Sequence, residues 1–297
     1  MRTFEGIIPP MVTPLDADED LDVDTLRRES RLFAAAGVHG LSYGGSTGEG
    51  AVLHDSEIAR GVEVVQTEND GKLPLLCGII RNSTREAISA AREARAAGAD
   101  GLMVTPVHYF GASDDGNVEF YQRLSDVGLP IIVYNVVPKS PVSPELMVRL
   151  AGIPNVYGIK QSIGGVHALA DMVAAVPEHI RVFGAHDDLL MDDYILGAAG
   201  AISAILSLFP ALFVEQWNAV QRGDVSRARE IHYRVLPVWR SIEGAYFPAR
   251  IKAALAMIGR AVGPARHPMI APNTRDLETI RSRLEAAGFP TKEYRRA

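Results

Sequence analysis

Eight short runs of apolar residues punctuate this chain, and longer stretches of helical spacing separate them. The runs are Ile7–Val12, Val38–Tyr43, Leu73–Gly78, Gly101–Thr105, Pro130–Tyr134, Val156–Lys160, Ile180–Phe183 and Ala201–Ile205. Each is continuous rather than alternating, the pattern of a strand covered on both faces. Between them, segments such as Val23–Ala36, Thr84–Ala97 and Pro144–Ala151 carry the apolar spacing of amphipathic helices. Asp22 or Asp24, Ser83 and Ser143 stand where N-caps belong. Two helix-to-strand joints nearly repeat, Ala36-Gly37-Val38-His39-Gly40-Leu41 and Ala97-Gly98-Ala99-Asp100-Gly101-Leu102. In each, the glycine after the alanine-rich helix fits a C-terminal cap that needs a positive φ. Eight such strands with intervening helices over residues 1–222 predict an α/β fold, a (β/α)8 TIM barrel. A doubly wound open sheet is the alternative, but no GxGxxG follows the first strand.

From about Gly223 the pattern changes to helices alone. Val225–Glu243, Pro248–Gly259 and Thr274–Ala287 have helical spacing, the last two joined by Gly263-Pro264-Ala265-Arg266-His267-Pro268. Loosely spaced helices in a segment of ~75 residues would bury little by themselves. Residues 223–297 are therefore expected as a C-terminal helical extension packed on the barrel.

A formal net charge of −6 gives no electrostatic case for binding nucleic acid or an anionic membrane. The single cysteine, Cys77, excludes an internal disulfide and fits a reducing compartment. No stretch approaches ~18 continuous apolar residues, and Arg2 and Glu5 interrupt the start, so neither a membrane span nor a secretory signal is expected. The chain reads as cytoplasmic. There is no Walker-type loop, and the histidines show no metal-ligand spacing, so neither a cofactor nor a metal is expected.

In a barrel, chemistry gathers at the C-terminal ends of strands. Lys160 closes the run Val156-Tyr157-Gly158-Ile159-Lys160. Burial disfavours the ammonium form and leaves a nucleophilic amine able to form a Schiff base with a keto acid. The bland alternative is a lysine that snorkels into solvent. The second run ends in Gly44-Gly45-Ser46-Thr47-Gly48-Glu49-Gly50. That segment is either an anion-binding turn offering backbone N–H groups and two hydroxyls, or a plain loop whose Ser46 or Thr47 caps the next helix. Tyr134 ends the fifth run and is either a packing tyrosine or a general acid/base near the amine.

These motifs, in this order and spacing, resemble the dihydrodipicolinate synthase/N-acetylneuraminate lyase family, the pyruvate-type class I aldolases. The resemblance runs over nearly the whole chain. It takes in Pro10-Met11-Val12-Thr13-Pro14, Gly45-Ser46-Thr47-Gly48-Glu49, Tyr134-Asn135, Gly158-Ile159-Lys160, Gly184 with Asp187-Asp188, and Gly263-Pro264, Arg266 and Pro268-Met269. It implies the same barrel with a helical extension, usually a homotetramer built as a dimer of dimers. It also implies that Lys160 forms the Schiff base and Tyr134 shuttles protons. Ser46, Thr47 and the Gly48 backbone would hold the substrate carboxylate. Gln161, Lys139, Asp187, Asp188 and Ile202 would surround the rest of a small keto-acid substrate.

The chain departs from the family prototypes where substrates are selected. Synthases carry an arginine in the loop after Tyr-Asn, and this chain has Lys139 there, which lacks the bidentate fork of a guanidinium. The family's tyrosine pair after the fourth strand reads Val107-His108-Tyr109-Phe110 here. Either His108 or Tyr109 would have to complete a relay between subunits, and His108 serves equally well as a subunit contact. The Gly-Gly-Ser-Thr-Gly-Glu loop and Gln161 lean toward the lyases, yet the lyases' serine near the eighth strand falls on Ala204. Asp187 and Asp188 are either hydroxyl acceptors or carboxylates dressing a helix N-terminus. The expected function is a Schiff-base lyase or aldolase acting on pyruvate or a 2-keto-3-deoxy acid, by C–C bond cleavage or formation or by dehydration. The alternatives are a true dihydrodipicolinate synthase using pyruvate and aspartate semialdehyde, and a keto-acid-binding protein without catalysis.

Overall fold

A computed structural model of the chain describes residues 2–244 and 246–294. Among them, eight parallel strands alternate with helices. The first half runs β1 (Gly6–Ile7), α1 (Val23–Ala35), β2 (Leu41–Tyr43), α2 (Asp55–Asn69), β3 (Leu75–Ile79), α3 (Thr84–Ala96), β4 (Gly101–Val104) and α4 (Asp114–Ser125). The second runs β5 (Ile131–Asn135), α5 (Pro144–Leu150), β6 (Val156–Gln161), α6 (Gly165–Ala175), β7 (Arg181–Gly184), α7 (Leu190–Ile195), β8 (Gly200–Ala201) and α8 (Pro210–Gln221). The sheet order is β1-β8-β7-β6-β5-β4-β3-β2, and a parallel bridge from Pro10 to Ser42 closes the ring between β1 and β2. This is the (β/α)8 barrel expected from the eight apolar runs.

The first and last strands are shorter than their apolar runs, for identifiable reasons. Pro9 and Pro10 have no N–H to continue the ladder toward β8. Their segment turns instead to β2, where Met11 N–H donates to Ser42 O at 2.7 Å and Ser42 N–H donates to Pro9 O at 3.1 Å. After β8, residues Ala204–Ser207 wind into a 3-10 turn, and the Ile205 N–H donates to the Asp187 carboxylate at 2.7 Å rather than to a strand.

Two apolar cores result. Inside the barrel, Phe4, Ile8, Leu76, Met103, Ile132, Tyr134, Phe183 and Ile202 pack on one another. Their strand neighbours, among them Ile131, Val133, Ile159 and Cys77, face the helices. Burial pushes the Cys77 thiol up to about 12, so it is inert core. The caps expected at Asp22, Ser83 and Ser143 accept from the N–H groups of Thr25, Glu86 and Leu146. Gly37 and Gly98 take φ of 75° and 98° at the two repeated joints.

Among the described residues no strand separates the remaining helices, α9 (Val225–Ile242), α10 (Phe247–Met257) and α11 (Thr274–Ala286). α9 packs on α8 and α7, and α11 packs on α9 and α10. Among the described residues no helix is long and apolar enough to cross a membrane.

Candidate active site

The register of the sheet decides which strand-end side chains meet. Tyr134 on β5 stands opposite Lys160 on β6, and Lys160 stands opposite Phe183 on β7. Ile132, Tyr134 and Phe183 all belong to the barrel interior, so Lys160 enters the same space. Its amine lies 4.1 Å from the centroid of the Tyr134 ring. The Tyr134 hydroxyl donates to Ser46 Oγ at 3.0 Å. Lys160 is only 5% exposed, yet among the described residues its amine has no hydrogen bond and no ion pair. A sequestered amine without a partner is free to meet a carbonyl carbon.

The Gly-rich segment after β2 folds back on itself. Gly48 and Gly50 N–H groups both donate to Gly45 O, at 3.1 and 3.0 Å, and Glu49 N–H donates to Ser46 O at 3.1 Å. A Cβ on Gly50 would stand 1.7 Å from Gly44 O, so only glycine fits there. Thr13 Oγ1 donates to Gly48 O at 2.6 Å and fixes the turn from the β1 side. The Gly48 N–H, expected to help hold a carboxylate, is thus committed to the turn. The Ser46 and Thr47 N–H groups have no acceptor among the described residues. Neither residue caps the next helix, because α2 begins at Asp55 with His54 as its N-cap. That leaves the Ser46 and Thr47 N–H groups as open donors of the turn, the kind of group an anion accepts.

A cavity of about 280 Å³ opens over these groups. Ser46, Thr47, Tyr134 and Lys160 line it from the β2, β5 and β6 ends. Asp187, Ile202, Ser203 and Ala204 line it from the β7 and β8 ends. Trp239, Glu243 and Phe247 reach it from the helical extension.

Asp187 is the one lining carboxylate from the barrel. Burial raises its pKa to about 6, against the opposing effects of the Ser203 hydroxyl, the Ile205 N–H and the Lys160 charge. The neighbouring loop is pinned by His186, whose Nδ1 lies 2.8 Å from Oδ1 of the fully buried Asp193. Between pH 3.8 and about 6 the folded chain holds a proton on Asp187 that the unfolded chain has released, so stability falls as pH rises through that window. Asp187→Asn is expected to raise the melting temperature relative to wild type more at pH 7.5 than at pH 4. Thermal melts at the two values check this, and equal differences would remove the buried-carboxylate account.

Several expected site residues lie elsewhere. Gln161 follows Lys160 on β6, so alternation turns it outward: it accepts from Asn135 at 2.9 Å and donates to Ile163 O at 2.7 Å. Asn135 also grips Val142 through its N–H and C=O, each at 2.9 Å, which shapes the loop after β5. Lys139 in that loop is exposed and outside the cavity lining. Asp188 turns away to an ion pair with Arg240 at 2.6 Å, tying α9 to the barrel. His108 is half-buried and Tyr109 is 74% exposed, and neither lines the cavity within one chain. Trp239, Glu243 and Phe247 were not singled out for the site, because only the docking of the extension brings them to the mouth.

Comparison with known proteins bears on the family and the fold. The model of the dihydrodipicolinate synthetase family matches residues 3–287. A 4-hydroxy-tetrahydrodipicolinate synthase of Methanospirillum hungatei is 33% identical over 286 residues, covering 95% of this chain and 98% of the relative. An uncharacterized DapA-like lyase of Halobacterium salinarum is 35% identical over 289 residues, covering 96% and 95%. Among solved structures, the dihydrodipicolinate synthase from Aquifex aeolicus superposes with a TM-score of 0.92 at 26% identity, over 98% of this chain and all of that one (100%). Sequence motifs, barrel and relatives converge: this chain belongs to the dihydrodipicolinate synthetase family.

Proposed function

We propose that the chain is a Schiff-base lyase that acts on pyruvate or a 2-keto-3-deoxy acid, making or breaking a C–C bond or expelling a β-hydroxyl. One observation carries this reading: the Lys160 amine is enclosed, has no ion-pair partner among the described residues, and lies 4.1 Å over the ring of a tyrosine whose hydroxyl donates to Ser46. The amine adds to the keto carbon, the carbinolamine oxygen leaves as water, and one proton is taken up from solvent to give the protonated imine. The imine then draws electrons from C3 as a proton departs, giving an enamine. Tyr134 takes and returns that proton, with Ser46 as the next station. The Ser46 and Thr47 N–H groups hold the carboxylate, and Asp187 accepts hydroxyls farther along. Ile202 floors the pocket.

Borohydride trapping with pyruvate, read by intact mass and peptide mapping, tests this directly. A reduced pyruvyl adduct on the peptide holding Lys160 is expected. Absence of an adduct with pyruvate and with longer 2-keto acids would remove the mechanism. Tyr134→Phe keeps the ring against Lys160 and deletes the hydroxyl, so kcat should fall roughly 10²–10⁴-fold while the adduct still forms. An unchanged kcat would take Tyr134 out of the proton path.

The second reading is a dihydrodipicolinate synthase that joins pyruvate to aspartate semialdehyde. The Methanospirillum relative and the Aquifex structure, both named as such synthases, support it. The exposed Lys139 weighs against it, since that residue leaves the co-substrate's carboxylate without a cation in the cavity.

In this reading residues 1–222 form the catalytic barrel, and the extension, 223–297, completes its mouth. The assembly is a homotetramer, and the exposed Tyr109–Phe110 pair, at 74% and 90%, supports a contact between subunits. Native mass measurement in solution checks the state.

A further inference from the structure

The cavity walls beyond Lys160 restrict the second reactant, given the Schiff-base reading above. Among the described residues that line the cavity, Lys160 is the only cation, and the imine would occupy it. The other charged groups there are the carboxylates of Asp187 and Glu243. Arg240 is already spanned by Asp188 at 2.6 Å and Glu243 at 3.0 Å. An aldehyde with its own carboxylate would lose hydration on entry, meet Asp187 and a Glu243 already matched by Arg240, and find no free cation. An aldehyde bearing hydroxyls would instead present donors to the two carboxylates. Its carbon chain would lie against Trp239 and Phe247, which border the same cavity.

We infer that the partner aldehyde is a carboxylate-free hydroxyaldehyde, selected by Asp187 from the barrel and by Trp239 and Glu243 from the extension. The enamine C3 of pyruvate attacks the aldehyde carbon and forms one C–C bond. The aldehyde oxygen takes the proton that had left C3. Water then hydrolyses the imine, releasing a 4-hydroxy-2-keto acid and restoring the Lys160 amine. Pyruvate plus aldehyde equals product, and no redox partner enters.

Steady-state kinetics with pyruvate, comparing glycolaldehyde and D-glyceraldehyde with succinate semialdehyde and L-aspartate semialdehyde, tests the inference. At least one hydroxyaldehyde should exceed both carboxylate-bearing aldehydes in kcat/KM by roughly tenfold or more. A smaller ratio, a reversed one, or no turnover of either hydroxyaldehyde overturns it. Trp239→Ala and Glu243→Gln should each raise KM for the hydroxyaldehyde by roughly fivefold or more, with KM for pyruvate within about twofold of wild type. Parallel changes in both KM values would mark the two residues as structural and overturn their assignment. Borohydride trapping with pyruvate, run on the same preparation, separates the failures. An adduct with the wrong aldehyde preference sinks the selectivity alone, and no adduct sinks the Schiff-base reading with it.

Discussion

Lys160→Ala should lose turnover by roughly 10⁴-fold or more and lose the borohydride-trapped adduct entirely. It should also keep its fold. Lys160 makes no ion pair within 4.0 Å among the described residues, so removing it breaks no buried salt bridge. Its loss leaves Asp187 without a neighbouring cation and nudges that carboxyl further up. Lys160→Arg separates charge from nucleophilicity, because a guanidinium keeps the cation and cannot be deprotonated to attack a carbonyl. Both variants should therefore be inactive, with circular dichroism like that of wild type. Activity within tenfold of wild type in either one would show that the amine is not the nucleophile.

The barrel was legible because each apolar run is a strand covered on both faces. The lengths of β1 and β8 were less so. The Pro9-Pro10 pair signals the early end of the first ladder, whereas the 3-10 turn at Ala204–Ser207 depends on the distant Asp187 carboxylate. That Lys160 and the Ser46-Thr47 turn stand at strand ends could be read from the sequence, but the direction of Tyr134 could not, since one residue of register reverses it. Gln161 could have been set aside on the same rule: if Lys160 points inward, its neighbour points out. Asp187 and Asp188 are chemically alike, and only Arg240 on α9 separates a cavity carboxylate from a structural one. Trp239 and Glu243 carry no local signal at all, because their position is a property of how α9 docks.

Beside the Arg240–Asp188 pair on α9, the extension is tied to the barrel through α10 by a buried charge pair, and breaking it should have a large effect on stability. Glu49, in the left-handed region at φ 62°, ends the Ser46-Thr47-Gly48 turn. Its carboxylate lies 2.7 Å from the Lys252 amine on α10, with side chains 0% and 3% exposed. The other Glu49 oxygen accepts the Arg266 N–H at 2.7 Å, and Lys252 also donates to Pro264 O at 2.6 Å. One glutamate thus ties the proposed carboxylate-binding turn to two segments of the extension. Burial lowers the Lys252 pKa and Glu49 opposes that, so an unpaired Lys252 would be left either charged in an apolar site or neutral at a cost. Glu49→Gln is isosteric and still accepts from Arg266, yet it should destabilise by about 3–5 kcal/mol, the cost of an orphaned buried charge. In a chain of this size that corresponds to a fall of roughly 5–8 °C in Tm. Lys252→Met should cost a similar amount by orphaning the carboxylate. The double variant Glu49→Gln/Lys252→Met removes both charges and should recover more than half of the loss. A double-mutant cycle in urea measures the coupling, and a value below about 0.5 kcal/mol would mean the two groups act independently. If the coupling is large, the glutamate of the Gly-Ser-Thr-Gly-Glu motif serves the site by holding the extension, and with it Trp239 and Glu243, over the cavity.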